Sequence, residues 1–213
     1  MVGARTSDHT FLLQTLIEKV VKKNKKKLFA AFIDYSKAYD TVDRDKLFDR
    51  LKSVGINGIF LKNLMAMYEN PSYKIKLRDG HLDPIRSNLG LKQECPLSPM
   101  LFNLYIDDIK TIFDGECEPV RLHDEDLSHF LYADDLVLIS MTAGGLQRSL
   151  DKLSKYSDDK CLTISIEKSK SMIFNLSGRL ERTQFNIGGS PIEAVNLFSS
   201  IMLKCGVNLL TNN

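Results

Sequence analysis

The chain has 213 residues, 43% hydrophobic and 26% charged, with 29 Lys+Arg against 27 Asp+Glu and a formal net charge of +2. These values exclude collagen-like, mucin-like and wholly disordered classes and permit a packed core that buries roughly 70% of the unfolded chain's surface. The cysteines Cys95, Cys117, Cys161 and Cys205 form no CxxC pair, so no zinc ribbon or thioredoxin-like site is encoded and a reduced intracellular setting, nucleus or cytoplasm, is expected. Leu28 to Ile33 is the longest purely apolar run near the amino end, far short of the ~20 residues that cross a bilayer. The stretch from Phe11 to Val21 is interrupted by Gln14, Thr15, Glu18 and Lys19, unlike a signal peptide. No membrane segment is expected.

Charge is balanced overall and separated locally. Residues 1–30 hold Arg5, Lys19, Lys22, Lys23, Lys25, Lys26 and Lys27 against Asp8 and Glu18, a local +5; residues 101–135 hold ten acids against Lys110 and Arg121, a local −8. That separation suits a chain that holds a polyanion at one place and cations at another, or else a solvated helix end and an acidic loop.

In chain order, Leu13, Leu16, Ile17 and Val20 recur at helical spacing after Ser7 or Asp8, predicting a helix over 8–23. LFAAFID from Leu28 reads as a strand buried on both faces and ending at Asp34. Asp43 is placed to cap a helix carrying Leu47, Phe48 and Leu51, stopped at Gly55. A second helix, about 57–69, carries Phe60, Leu64 and Met67. Tyr73, Ile75 and Leu77 alternate with Lys74, Lys76 and Arg78 before Asp79-Gly80, a hairpin signal. Ser98-Pro99 predicts an N-cap and first-turn proline for a helix to about Phe113, followed by an acidic loop. HFLYA and LVLIS flank Asp134-Asp135 as a hairpin with two acids at its tip. A helix over 143–158, short strands around 162–166 and 172–175, and a hairpin on Gly188-Gly189 complete the series, giving one α+β domain.

Asp34 thus ends one strand and Asp134 and Asp135 sit on a hairpin one hundred positions later. Asp-Asp in a turn is by itself ordinary turn chemistry. Converging carboxylates, however, repel one another unless cations neutralise them, and hard oxygen ligands favour Mg²⁺ or Mn²⁺. Two such ions serve in-line phosphoryl displacement.

The segments FIDYSKAYDTVDRDKL (32–47), GLKQECPLSPMLFNLYIDDI (90–109) and FLYADDLVLIS (130–140), flanked by SDHTFLLQTLIEKVVKKNKKK and LTISIEKSKSMIFN (162–175), together resemble reverse transcriptases of the non-LTR retrotransposon (LINE) type. The resemblance covers about residues 3–198. It implies an α+β right-hand polymerase palm with partial fingers, an antiparallel sheet backed by helices: fingers about 1–27, palm about 28–198, and a degenerate or truncated tail over 199–213. It implies an RNA-directed DNA polymerase that joins deoxynucleoside triphosphates (dNTPs) to a DNA primer on an RNA template, with Mg²⁺ or Mn²⁺ held by Asp34, Asp134 and Asp135. Tyr39 matches the aromatic steric gate, Gln93 the glutamine that contacts the incoming nucleotide, and Lys168, with Lys170 close by, a lysine near the triphosphate.

Glu94 departs from the family, which has a glycine there. The resemblance further implies that the chain starts inside the fingers and that Ser199-Ser200-Ile201-Met202 replaces the primer-grip turn. The rivals to the polymerase reading are a remnant that folds and binds nucleic acid without polymerising, and a binding module using Lys22–Lys27.

Overall fold

The computed structural model describes residues 6–69, strand residues 72–73, 76–77, 80–81 and 85–86, and residues 89–113, 115–122, 125–132, 135–179, 181 and 183–195. Asp134, Asn196 to Phe198 and the 199–213 tail lie outside the described residues.

Helix α1 (Thr6–Leu16) runs on as a π-helical stretch, Ile17–Lys23. Ser7 and Asp8 lie inside the helix rather than at its cap. Strand β1 (Leu28–Ile33) is buried at all six positions, as a two-faced apolar run requires. Asp43 caps α2 (Arg44–Ser53) by accepting from the amides of Asp45 and Lys46 at 3.0 and 3.1 Å, and Gly55, at φ +90°, ends it.

Helix α3 (Gly58–Tyr68) buries Leu61, Leu64 and Tyr68, while Phe60 and Met67 are 59% and 42% exposed. GIFLKNLMAMY is apolar on most sides, so its periodicity selects no unique face. The neighbouring helix selects it instead. Four two-residue strands come next: β2 (Ser72–Tyr73) pairs β5 (Ile85–Arg86), and β3 (Lys76–Leu77) pairs β4 (Gly80–His81). Leu77 faces Gly80, so Gly80 is a strand residue rather than part of the turn expected on Asp79-Gly80, and Asp79 lies outside the described residues.

Helix α4 (Ser98–Ile106) has Leu97 at its N-cap and a proline in its first turn. Ser98 is not the cap, because its hydroxyl instead donates to the Lys92 carbonyl at 2.5 Å and ties back the preceding loop. Helix α4 gives way to 3-10 turns over Asp107–Thr111 and Gly115–Cys117. The acidic loop contains a small hairpin, β6 (Val120–Leu122) with β7 (Glu125–Leu127).

Strands β8 (His129–Tyr132) and β9 (Asp135–Ser140) pair as the expected hairpin, except that Asp135 is not at its tip but in β9, paired with Tyr132. Thr142 caps α5 (Ala143–Asp159). The segment 162–166 is not a strand: only Ile164 bridges Tyr35, because the chain past β1 turns away after that contact. Strand β10 (Lys170–Phe174) precedes the hairpin of β11 (Phe185–Ile187) and β12 (Ser190–Ala194), turning on Gly188 and Gly189 at φ +55° and +81°.

The central sheet has the order β11-β12-β10-β1-β9-β8 and is antiparallel except for the parallel β10–β12 pair. Alternation along β1 sends Phe29, Ala31 and Ile33 into a core with Leu146, Leu150 and Leu153 of α5, and Leu28, Ala30 and Phe32 into one with Leu13, Leu16 and Val20 of the amino-terminal helix. A third core joins Tyr35 to α2, α3 and α4 past the end of β1. Each fully buried Leu or Phe contributes about 1.5–3 kcal/mol, so β1, held on both faces, fixes the position of the residues at its carboxyl end.

Candidate active site

Asp34 is the first residue beyond β1. Its carbonyl accepts from the Ser165 amide at 2.8 Å and its amide donates to the fully buried Ser169 hydroxyl at 3.2 Å. The turn 165–169 closes on itself through the Ser169 amide and Ser165 carbonyl at 2.8 Å, so both sides of the Asp34 backbone are clamped. The β1–β9 ladder ends at the pair Ile33–Leu136; Asp34 follows Ile33 and Asp135, the first residue of β9, precedes Leu136, so both residues lie at the same end of that ladder.

Asp34 Oδ2 is buried and has no hydrogen-bond partner; the nearest cation is Lys168 Nζ at 3.7 Å, an ion-pair distance. A buried carboxylate oxygen without a hydrogen-bond donor suits a hard divalent cation. Among the described residues no three metal-ligating side chains cluster, and Asp134 is not one of those residues. Asp34 and Lys168 therefore meet directly, and Asp135 lies at the same end of the β1–β9 ladder.

Tyr39 and Gln93 form a second locus. Gly90 donates to the Val42 carbonyl at 2.8 Å and Leu91 to the Tyr39 carbonyl at 2.7 Å, joining two loops about fifty residues apart. Gly90 is at φ +83°, and a Cβ there would meet the Asp40 carbonyl oxygen at 2.7 Å, so only glycine fits. Buried Arg44 donates to the carbonyls of Gly90 and Leu89, both at 2.8 Å, and lies over the Tyr68 ring. Gln93 Nε2 donates to Asp40 Oδ1 at 2.8 Å. The Tyr39 ring rests on Phe102 with centroids 5.1 Å apart. Glu94 sits at φ +58°, a left-handed conformation that glycine adopts freely and glutamate does not.

Behind these loci lies a polar cluster that sequence reading missed. Asp108 accepts from Tyr156 at 2.5 Å and from Lys160 at 2.8 Å, and Lys160 also donates to the Tyr105 carbonyl at 3.2 Å. Burial pushes the Asp108 carboxyl up, but the hydrogen bonds from Lys160 and Tyr156 outweigh it and hold the group below its ordinary value. Tyr35, at the end of β1, is pushed up to about 12 by burial, with the Ser157 hydroxyl acting against it. The cluster ties α4 to the end of α5. No local signal marks it, since Asp108 and Lys160 stand 52 positions apart. Arg44, Asp40, Ser165 and Ser169 were likewise invisible as positioning groups.

A family model described as reverse transcriptase (RNA-dependent DNA polymerase) matches residues 3–192. The Pol polyprotein of the type-2 retrotransposable element R2DM of Drosophila melanogaster is 29% identical over 195 residues, covering 85% of this chain and 18% of that protein. The type-1 element R2 polyprotein of Nasonia vitripennis is 26% identical over 90% of this chain and 19% of its own length. The transposon TX1 149 kDa protein of Xenopus laevis is 25% identical over 80% of this chain and 13% of its own length. The chain thus spans less than a fifth of the length of these relatives. Among solved structures, apo telomerase of Candida tropicalis matches with a TM-score of 0.60 at 15% identity, over 90% of this chain and 38% of that one. Candida albicans telomerase in complex with a fragment of telomeric RNA gives 0.60 at 13%, over 91% and 33%. At such identity these likenesses speak for the fold alone, a right-hand polymerase. With its family model spanning most of the sequence and its relatives encoded by R2 and TX1 elements, this chain belongs to the reverse transcriptases of the non-LTR retrotransposon type.

Proposed function

We propose that this chain carries out RNA-templated DNA synthesis, with Asp34, Asp135 and Asp134 as the carboxylates that hold Mg²⁺ or Mn²⁺. The observation that carries the reading is the buried Asp34 Oδ2 without a hydrogen-bond donor at the end of the β1–β9 ladder where β9 begins with Asp135. When bound, divalent cations at such carboxylates lower the pKa of an attacking hydroxyl and stabilise charge on the leaving oxygen. The remaining work is positioning. Lys168, 71% exposed and 3.7 Å from Asp34, supplies positive charge toward a triphosphate. Gln93, fixed through Asp40, presents its free amide edge to a nucleotide. Tyr39, braced by Phe102, sets a ring where a 2′-hydroxyl clashes and so selects deoxynucleotides. The primer 3′-hydroxyl attacks the α-phosphate and pyrophosphate leaves, with geometry contributing most of the catalysis. RNA template, DNA primer and dNTPs are the partners this chemistry requires.

A second reading, a folded chain that binds nucleic acid without polymerising, draws on Glu94. A carboxylate in a left-handed turn one residue from Gln93 puts negative charge and a Cβ beside the nucleotide path. Primer extension on RNA and DNA templates with Mg²⁺ or Mn²⁺ separates the two. Extension by the wild type that is lost in Asp135→Asn supports the polymerase; no extension by either, with nucleic-acid binding retained, supports the second reading.

A further inference from the structure

The end of β1 opposite Asp34 carries a different charge. Residues 22–27 are all exposed and include five lysines, and β1 begins immediately after them. The chain reaches this point through the π-helical turn, whose end is fixed by the Asn24 amide on the Lys19 carbonyl at 3.1 Å and the Lys26 amide on the Val20 carbonyl at 3.0 Å. Lys25 is held at φ +53°, a left-handed conformation in a residue with a side chain. Lys22 and Lys23 thus close the helical stretch, while Lys25 and Lys26 sit in the turn that leads into β1.

Few acids offset them. Lys22 lies 3.7 Å from Glu18 with both side chains about two-thirds exposed, a weak pair, and Lys27 bonds Glu181 at 2.6 Å. Lys23, Lys25 and Lys26 have no ion-pair partner among the described residues. The Lys27–Glu181 pair also draws in the neighbouring loop: Asn175, next to Phe174, which pairs Leu28, donates to Glu181 and to the carbonyl of exposed Arg179. The Arg179 backbone is thereby tied, through Asn175, to the Glu181 that pairs Lys27.

We propose that Lys22, Lys23, Lys25, Lys26 and Arg179 form a second nucleic-acid surface that grips the phosphate backbone of single-stranded RNA, about 20 Å from the Asp34 site by the length of β1. The choice of RNA rather than another polyanion rests on the polymerase reading, since a template must extend beyond the few nucleotides at the reacting centre. Flexible ammonium groups read charge, not sequence, so contact is with phosphates. No metal is needed.

The test is fluorescence anisotropy of a labelled 20-nucleotide oligouridine RNA, without divalent cations, over a series of salt concentrations. Each phosphate neutralised on a single strand contributes about −0.7 to the log–log salt slope, so four lysines give about −2.8, or a roughly 50-fold loss of affinity for a fourfold rise in salt. The quadruple variant Lys22→Gln, Lys23→Gln, Lys25→Gln, Lys26→Gln is expected to lose most of that slope and at least tenfold in affinity at low salt. The matching four-arginine variant keeps both, which guards against a folding defect in the glutamine variant. Equal slopes for wild type and the glutamine variant, loss in the arginine variant, or tighter binding to phosphatidylserine vesicles than to RNA would each overturn the proposal. Failed primer extension with this salt-dependent binding intact removes only the polymerase reading, whereas successful extension with unchanged binding by the glutamine variant removes only the surface.

Discussion

Lys168 Nζ stands 3.7 Å from Asp34 Oδ2 because Asp34 follows β1 and Lys168 precedes β10 at the same end of their antiparallel pairing. The lysine is 71% exposed, so the contact contributes at most about 1 kcal/mol to stability. Its importance is electrostatic, because it is the cation nearest an oxygen that lacks a hydrogen-bond donor. Lys168→Gln should therefore change the melting temperature by no more than a few degrees, enlarge the shift produced by Mn²⁺, and weaken triphosphate binding. Asp34→Asn should abolish most of the Mn²⁺ shift. Thermal melts with and without Mn²⁺ check this; an unchanged Mn²⁺ shift in Asp34→Asn would remove the carboxylate from the metal site.

Tyr39 rests on Phe102 and is only partly buried. Tyr39→Ala removes the ring pair, worth about 0.5–1.5 kcal/mol beyond area burial, and should destabilise the fold modestly. On the gate reading it should also raise ribonucleotide relative to deoxynucleotide incorporation, while Tyr39→Phe keeps the wild-type ratio. The quantity to measure is the ratio of kcat/KM values for the two sugars. An unchanged ratio in the alanine variant makes Tyr39 a core aromatic.

Glu94 and Gly90 share positive φ in one loop with opposite consequences. Glu94→Gly relieves a left-handed side chain and should stabilise by about 0.5–1 kcal/mol, a rise of roughly 1–4 °C for a chain of this size. Gly90→Ala drives a Cβ against the Asp40 carbonyl at 2.7 Å and should cost about 1–3 kcal/mol, loosening Gln93 with it. Denaturant melts of the two variants should move in opposite directions, and movement in the same direction would contradict the loop geometry.

Asp108 gives a pH dependence with a definite sign. Its folded pKa lies below the ordinary carboxylate value of about 3.9, so its contribution is complete above about pH 4 and is lost as pH falls through the lower folded value. Asp108→Asn removes the charge-assisted bonds to Lys160 and Tyr156 and should destabilise by about 2 kcal/mol near neutrality, with the difference from wild type shrinking in acid. Melting temperatures between about pH 2.5 and 7 test it; a difference that grows toward low pH would reverse the assignment.

By itself the sequence determined the features that rest on near neighbours along the chain. The unbroken apolar run of β1, the Asp43 cap of α2, the β8–β9 hairpin and the Gly188-Gly189 turn were legible because strand alternation, capping and turn chemistry act over a few residues. The family motifs gave the order of the carboxylates. Only the tertiary structure decided the buried face of α3, the use of Ser98 as a tether instead of a cap, the parallel β10–β12 pair, and the joining of the Tyr39 and Gln93 loops through Gly90 and Arg44. The physical reason is common to all four. A uniformly apolar helix, a hydroxyl with several reachable carbonyls, or a buried guanidinium has many locally acceptable partners. The choice among them falls to whichever segment, tens of residues away, the cores on the two faces of β1 bring within reach.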